Sequence, residues 1–254
     1  MWNAFRTDEE MSLQASIITF TGGGGDPIHA YYAHPTGDGP MPALVLIHHM
    51  PGFDEFTFET AERLARHGYR VLCPDLYCRF GHGSPDDVAA TARSKGGVAD
   101  DSVIADAGAA LTFLRSNAVT TKIGVLGPCS GGRHALLVAS RVPGFSAVAD
   151  LWGGGVVAAP DELTPQRPVA VIDYSSALNV PLLGLFGNED SHPSPEQVDR
   201  HEAELRHLGK DHEFHRYEGA GHGFIYYHTP MYRPEQAMDA WSRIFGFFGE
   251  QLGA

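Results

Sequence analysis

Short apolar runs alternate with longer amphipathic segments along the chain. Residues 43–47 are continuously apolar, which is typical of a strand buried on both faces of a parallel sheet. The amphipathic segment 56–67 predicts a crossover helix, and residues 69–73 predict the next strand. A second unit runs from a helix at 98–116 through a strand at 123–126 into another helix. This alternation predicts a doubly wound, mostly parallel α/β sheet with helices on both faces.

The rest of the pattern fits one domain. The other predicted elements are a third βαβ unit from 146–151 towards 181–186, a last strand at 212–217 and a closing helix at 234–248. Residues 1–15 show no periodicity and are interpreted as an N-terminal extension without an assigned function. The predicted α/β domain therefore covers residues 16–254, a length that a single large domain accommodates.

Two β-prone runs, 16–20 and 28–33, flank the sequence Gly22-Gly-Gly-Gly-Asp-Pro and predict a hairpin with a loose turn. A phosphate-binding loop is the alternative for these glycines. No Lys-Ser or Lys-Thr pair follows them and no helix is predicted to begin there, so the hairpin is preferred.

Composition restricts the class of protein. A hydrophobic content of 43% and a charged content of 19% are typical of a globular protein with a sizeable core. The net charge of −13 argues against nucleic acid or an anionic membrane as a partner, because both require a basic face. No apolar run has the length of a signal peptide core or a membrane span, so the cytoplasm is the expected location.

The three cysteines give neither a disulfide framework nor a zinc site. Cys73, Cys78 and Cys129 are odd in number and lack Cys-x-x-Cys spacing, which fits a reducing compartment. The pairs His48-His49 and His212/His215 lack a third ligand at a recognisable spacing, so no metal is predicted.

Cys129 lies between a predicted strand and a predicted helix, in the frame Gly127-x-Cys129-x-Gly131. Such a frame is typical of the nucleophile elbow of α/β-hydrolases, here with cysteine in place of serine. The turn is sharp, so the positions two residues before and after the nucleophile must be small. At a helix start the backbone N–H groups and the helix dipole favour the thiolate. The alternative is an ordinary buried cysteine.

A nucleophilic thiol requires a base and a group that orients the base. Chain order in α/β-hydrolases gives Asp190, after a late apolar strand, as the acid and His222, after the last strand, as the base. Glu189 is the rival acid, and Asp190 alone would be interpreted as a turn or capping residue. The backbone N–H groups of Ser130 and Met50 are the predicted oxyanion hole.

The motifs resemble those of the dienelactone hydrolase family from about Ile17 onward. The segments that carry the resemblance are Gly127-Pro-Cys-Ser-Gly-Gly, Gly68-Tyr-Arg-Val-Leu-Cys-Pro-Asp-Leu-Tyr-Cys-Arg and Gly219-Ala-Gly-His-Gly-Phe. The resemblance implies an α/β-hydrolase fold, a triad of Cys129, His222 and Asp190, and no cofactor. It also implies that Arg79 binds a substrate carboxylate.

Two positions depart from the family pattern. His49 stands where family members carry a glutamate that controls ionisation of the thiol. A charged His49 near the thiol would favour the thiolate, and the alternative is that His49 faces away and packs beside Pro51. Tyr226 stands where members carry a second arginine for the carboxylate.

The departure at Tyr226 changes the expected substrate. With only Arg79 left at the family positions, we expect neutral or aromatic acyl groups to be tolerated as substrates. The alternative is that Tyr226 points into the core and that Arg133 or Arg233 completes the anion site.

The expected function is a cysteine-dependent hydrolase that opens a dienelactone-like lactone or cleaves a small carboxylic ester through an acyl-thioester. Its expected partner is a small-molecule ester or lactone, and it would be a monomer or a small homo-oligomer. The alternatives are a broad-specificity carboxylesterase and a catalytically silent binding module on the same fold.

Overall fold

The computed structural model describes residues 12–37, 39–117 and 120–253. Eight strands form one sheet in the order β1-β2-β4-β3-β5-β6-β7-β8. The strands are β1 Leu13–Thr21, β2 Pro27–Pro35, β3 Met41–Leu46, β4 Arg70–Pro74, β5 Thr120–Pro128, β6 Ala147–Leu151, β7 Leu182–Gly187 and β8 His212–Tyr217. The pairs β1–β2 and β2–β4 are antiparallel, and the remaining neighbours are parallel. The mostly parallel sheet is confirmed.

Helices cover both faces of this sheet. They are α1 Glu55–Arg66, α2 Pro85–Ser94, α3 Asp100–Asn117, α4 Ser130–Arg141, α5 Pro195–His207 and α6 Pro234–Phe248. None of those in the described part of the chain is long and apolar enough to cross a membrane.

Alternate residues of the central strand β3 belong to two different cores. Ala43 and Val45 pack into the layer of α3 and α4, whereas Leu44 and Leu46 pack into the layer of α1 and α6. All four side chains are fully buried or nearly so, and burial of a leucine contributes roughly 1.5–3 kcal/mol. The continuous apolar run at 43–47 therefore has the predicted cause, which is burial on both faces.

The predicted bounds of β8 and α6 are confirmed. The predicted hairpin is also present, with Phe20 paired to Ile28 and Thr21 paired to Pro27. Strand β1, however, begins at Leu13 and not at residue 16. The predicted extension thus contributes its last three residues to the sheet, and its residues 1–11 lie outside the described residues.

The third predicted crossover contains no α-helix. Residues 152–181, all described, hold the 3₁₀ turns Pro160–Glu162 and Val171–Ala177 and a backbone bridge between Thr164 and Arg167. The segment begins with three glycines after Trp152 and contains four prolines, and both residue types disfavour a helix interior. The prediction of a helical crossover here is wrong.

Candidate active site

The elbow depends on the two glycines that frame Cys129. Cys129 follows β5 directly, and its φ of 55° lies in the left-handed region that side chains rarely adopt. A Cβ atom on Gly127 would lie 2.4 Å from the backbone of Gly131. A Cβ atom on Gly131 would lie 2.2 Å from the carbonyl oxygen of Ile47. The predicted need for small residues at both positions is confirmed.

His222 joins the thiol to the acid. Its Nδ1 lies 2.8 Å from Oδ2 of Asp190, and His222 lines the same cavity as Cys129. Burial lowers the pKa of His222, but the hydrogen bond to Asp190 and the neighbouring thiol of Cys129 outweigh burial and raise this pKa to about 10. The imidazole can therefore hold a positive charge beside the sulfur at neutral pH.

Asp190 is held in place by the chain that follows it. The backbone N–H of His192 donates to Oδ1 of Asp190 at 2.8 Å, which leaves Oδ2 for His222. Asp190 is only 5% exposed. Glu189, the rival acid, has an exposed side chain. The structure brings Asp190, and not Glu189, to the histidine.

The loop after β3 presents the N–H of Met50. Leu76 donates its N–H to Nε2 of His48 at 3.2 Å, so Nδ1 of His48 carries the proton and donates to the carbonyl of His49 at 2.8 Å. Gly52 N–H donates to the same carbonyl at 2.9 Å. The carbonyl of His49 and the N–H of Met50 belong to the same peptide group. A trans peptide directs its N–H away from its C=O, so the N–H of Met50 points away from the two donors to that carbonyl.

Met50 and Ser130 both line the cavity that contains Cys129. Within the described ranges, neither residue donates its N–H to another protein group. Both N–H groups are therefore available to a ligand oxygen, as the prediction for the oxyanion hole requires. The loop is held further by Tyr77, whose hydroxyl donates to the carbonyl of Met50 at 2.9 Å.

The two departures from the family pattern contact each other. Nδ1 of His49 lies 3.0 Å from the hydroxyl of Tyr226, and Nε2 lies 2.8 Å from Oδ2 of Asp54. Asp54 is the N-cap of α1, so the ring of His49 is directed towards that helix. His49 and Tyr226 are both buried, and neither lines the cavity.

Arg79 is occupied by two carboxylates. Its guanidinium donates to Asp26 at 2.8 and 2.9 Å and to Asp106 at 2.6 and 3.0 Å. Asp106 is 1% exposed, and a buried carboxylate needs a paired cation. Arg79 does not line the cavity, so the structure does not bring this predicted substrate-binding residue to the thiol.

The cavity beside Cys129 has a volume of about 560 Å³. Its lining includes the catalytic candidates and further side chains: His48, Met50, Leu76, Tyr77, Arg93, Val98, Cys129, Ser130, Arg133, His134, Thr164, Arg167, Asp190, Ser191, His192 and His222. Arg133 reaches it but forms a bidentate pair with Asp100 at 2.7 and 2.9 Å. Arg233 lies outside it and donates to carbonyl groups near α6.

Several lining residues were not assigned to the site from the sequence, among them Tyr77, Arg93 and Arg167. For Arg93 the sequence carries a signal for its helix only, because Ser84 followed by Pro85 marks a helix start and Arg93 lies in the last turn. We find no comparable signal for Arg167, which follows an irregular segment rich in proline.

Asp150, in β6 beside the elbow helix, is a buried acid with an unsatisfied oxygen. Its Oδ1 accepts the N–H of Gly153 at 2.7 Å, and its Oδ2 has no hydrogen-bond partner among the described residues. Burial raises the pKa of Asp150 from 3.8 to about 7, against the lowering effect of the Gly153 bond. The folded state thus binds this proton more tightly than the unfolded state does.

Asp150→Asn is expected to stabilise the protein increasingly as pH rises. The wild type loses free energy of unfolding between about pH 4 and pH 7, with an upper limit of roughly 4 kcal/mol. The variant lacks this loss, so its advantage in urea unfolding should be larger at pH 8 than at pH 5. An advantage of equal size at both pH values would contradict the raised pKa.

Known proteins are similar to this chain over most of its length. The model of the "Dienelactone hydrolase family" matches residues 28–252. A Methylorubrum extorquens protein named "Putative carboxymethylenebutenolidase" is 34% identical over 227 residues, which are 87% of this chain and 76% of that protein. An Escherichia coli K12 protein of the same name is 32% identical over 235 residues, 90% of this chain and 84% of that protein.

A solved structure resembles the fold over nearly its whole length. It is a crystal structure from Klebsiella pneumoniae described as a "Putative Dienelactone Hydrolase", with a TM-score of 0.86 and 26% sequence identity. The match covers 94% of this chain and 99% of that one.

Proposed function

Because the chain belongs to the dienelactone hydrolase family, we propose that it is a cysteine hydrolase that acts through an acyl-thioester. The chain is a carboxylic ester hydrolase of the α/β-hydrolase fold, and its substrates are small lactones or esters. In the proposal Cys129 is the nucleophile, His222 is the base and Asp190 orients His222.

One observation carries the proposal: His222 is hydrogen-bonded to Asp190 through Nδ1 and lines the same cavity as the thiol of Cys129. A thiol needs a base within hydrogen-bond reach, and the base needs a partner that fixes its tautomer. Asp190 accepts a hydrogen bond from Nδ1 of His222, so Nε2 is the ring nitrogen left to exchange a proton with the sulfur. A structural cysteine would not need this arrangement.

In the acylation step the thiolate of Cys129 attacks the ester carbonyl and a sulfur–carbon bond forms. The carbonyl electrons move to oxygen, where the N–H groups of Ser130 and Met50 stabilise the negative charge. When the intermediate collapses, the carbon–oxygen bond of the ester breaks. The His222 imidazolium gives its proton to the leaving oxygen, which leaves as an alcohol, or stays attached to the acyl chain in a lactone.

In the deacylation step the neutral His222 takes a proton from water. The resulting hydroxide attacks the thioester carbonyl, the sulfur–carbon bond breaks and a carboxylic acid is released. The thiolate of Cys129 and the imidazolium of His222 are restored. No cofactor takes part in this sequence.

The proposed enzyme works as a monomer or a small homo-oligomer in the cytoplasm. Its three cysteines, Cys73, Cys78 and Cys129, are all free thiols, a state that a reducing compartment preserves. Cys129 must remain reduced for nucleophilic attack.

The test is hydrolysis of p-nitrophenyl hexanoate before and after treatment with iodoacetamide. We expect turnover to be lost in step with carbamidomethylation of Cys129, which is measured by mass spectrometry of the peptides. A saturating ester should slow this loss, because it occupies the same thiol. Turnover that persists after full alkylation of Cys129 would contradict the proposal, and absence of turnover with several esters would favour a silent binding module.

A further inference from the structure

The charged side chains that line the cavity have a net charge opposite in sign to that of the whole chain. The chain carries a net charge of −13. Besides the His222 imidazolium, the charged side chains that line the cavity are Arg93, Arg133, Arg167 and Asp190. Arg133 is neutralised by Asp100, and Asp190 is bound to His222. Arg93 and Arg167 therefore give the cavity an excess positive charge.

Arg93 and Arg167 have no acidic partner in the described part of the chain. No carboxylate oxygen there lies within 4.0 Å of either guanidinium. This distinguishes them from Arg79, Arg133 and Arg216, each of which forms such a pair. A pair of unneutralised guanidinium groups on one wall is a suitable site for an anion.

Hydrogen bonds fix the backbone around Arg167 beside this wall. Arg167 and Thr164 exchange two backbone hydrogen bonds at 3.0 and 3.1 Å, and Gln166 accepts the N–H of Asp100 at 2.8 Å. The guanidinium lies over Gly97, where a Cβ atom would be only 3.1 Å from Nη2. Because Gly97 has a φ of +85°, a side chain is disfavoured there, which leaves the space to Arg167.

The arginines lie on the side of Tyr77 and away from His222. The hydroxyl of Tyr77 donates to the carbonyl of Met50 in the oxyanion loop. Tyr77 follows β4 and Arg93 ends α2, the next α-helix along the chain, whereas Asp190 and His222 follow β7 and β8. In the sheet, β4 and the pair β7–β8 lie on opposite sides of β5, the strand that leads to Cys129. Arg167 reaches the side of Arg93, because its guanidinium lies beside Gly97 just after α2.

This placement decides which part of an ester faces the cations. The leaving oxygen must lie near His222, which protonates it. The acyl chain then extends away from His222, towards the wall with the two arginines. An anion carried by the acyl chain can reach them without displacing the leaving group from the histidine.

We propose that Arg93 and Arg167 bind a carboxylate at the far end of the acyl group, and that the preferred substrates are half-esters of dicarboxylic acids. The proposal rests on the function proposed above, because it places the acyl group on Cys129. It replaces the expectation of neutral substrates, which rested on Arg79 and Tyr226. Neither of those residues lines the cavity.

The test compares three esters with a six-carbon acyl chain: p-nitrophenyl hemiadipate, p-nitrophenyl hexanoate and 3-carboxy-4-nitrophenyl hexanoate. The first carries its carboxylate on the acyl part, the second carries none, and the third carries it on the leaving group. In the wild type we expect kcat/KM for hemiadipate to exceed that for p-nitrophenyl hexanoate by roughly 10- to 100-fold.

Arg93→Gln and Arg167→Gln should each lower the ratio of kcat/KM between hemiadipate and hexanoate by roughly tenfold. Arg200→Gln is the matched control, because Arg200 is exposed and does not line the cavity. This control should keep the wild-type ratio. Equal kcat/KM for hemiadipate and hexanoate in the wild type would overturn the proposal, as would a preference for the ester with the anionic leaving group.

A binding measurement separates this proposal from the catalytic one. Adipate, the hydrolysis product, is titrated calorimetrically into Cys129→Ala and into the same variant with Arg93→Gln and Arg167→Gln. We expect binding to the first and a loss of at least tenfold in affinity in the second. If no ester is hydrolysed, the catalytic proposal fails while adipate still tests the arginines. Equal adipate affinity in both proteins would overturn the anion site alone.

Discussion

Replacing Cys129 with alanine is expected to lower kcat for p-nitrophenyl hexanoate by roughly 10⁴-fold or more. The proposed reaction has no thioester without the sulfur, and His222 alone cannot supply a nucleophile of comparable reactivity. The measurement is kcat at saturating ester, with thermal unfolding recorded for the same sample. Cys78→Ala is the matched control, because burial raises the pKa of Cys78 to about 11 and this thiol does not line the cavity.

Cys129→Ser tests the chemistry of the nucleophile more closely than alanine does. Serine keeps the shape of the elbow, so we expect the wild-type unfolding temperature. Its hydroxyl is far harder to ionise than a thiol, and most of the activity should be lost. Activity near the wild-type level in either variant, or loss of activity in Cys78→Ala without unfolding, would contradict the assignment of Cys129.

The elbow could be predicted from sequence because its requirements are local. A left-handed φ at Cys129 and the close approach of β3 to α4 leave no room for side chains at Gly127 and Gly131. The second requirement involves Ile47, but the residues that the two requirements restrict all lie within 127–131, so they leave a compact motif. The order of Asp190 and His222 after successive strands was similarly readable, because parallel strands deliver their following loops to one edge of the sheet.

The surroundings of the thiol could not be predicted because they depend on distant partners. Arg79 forms ion pairs with Asp106, a buried acid of α3, and with Asp26 in the hairpin turn. His49 hydrogen-bonds to Asp54 and to Tyr226, and Tyr226 lies 177 residues from His49 in the sequence. A motif records which residue is present, but the nearest counter-charge decides where a long or polar side chain points.

The two arginines of the cavity wall, Arg93 and Arg167, could not be predicted for a different reason. Arg93 is carried by α2, whose Ser-Pro start was readable, yet nothing local indicates that its last turn faces the thiol. Arg167 lies in the segment between β6 and β7, where the sequence pattern predicted a helix and the chain forms 3₁₀ turns and a short backbone pairing. Irregular segments have no periodicity from which a facing side can be derived.

Asp190→Asn is expected to lower kcat by roughly 10³- to 10⁴-fold, because the amide would favour the wrong histidine tautomer. In the wild type, the N–H of His192 donates to Oδ1 of Asp190 and Nδ1 of His222 donates to Oδ2. An asparagine keeps its oxygen towards His192, since that backbone N–H needs an acceptor. Its NH₂ group then faces Nδ1, which must accept, and the remaining proton moves to Nε2 beside the thiol.

The pH dependence of kcat/KM should change with the same substitution. The bond to Asp190 is the leading cause that raises the pKa of His222 to about 10, whereas burial lowers it. Without the carboxylate this pKa falls, so the imidazolium that protonates the leaving group is lost at lower pH. We therefore expect the alkaline limb of the profile to move down by more than one pH unit, while Glu189→Gln, a neighbouring exposed carboxylate that does not line the cavity, keeps the wild-type profile. An unchanged alkaline limb in Asp190→Asn, or an equal shift in Glu189→Gln, would show that Asp190 does not control the charge of His222.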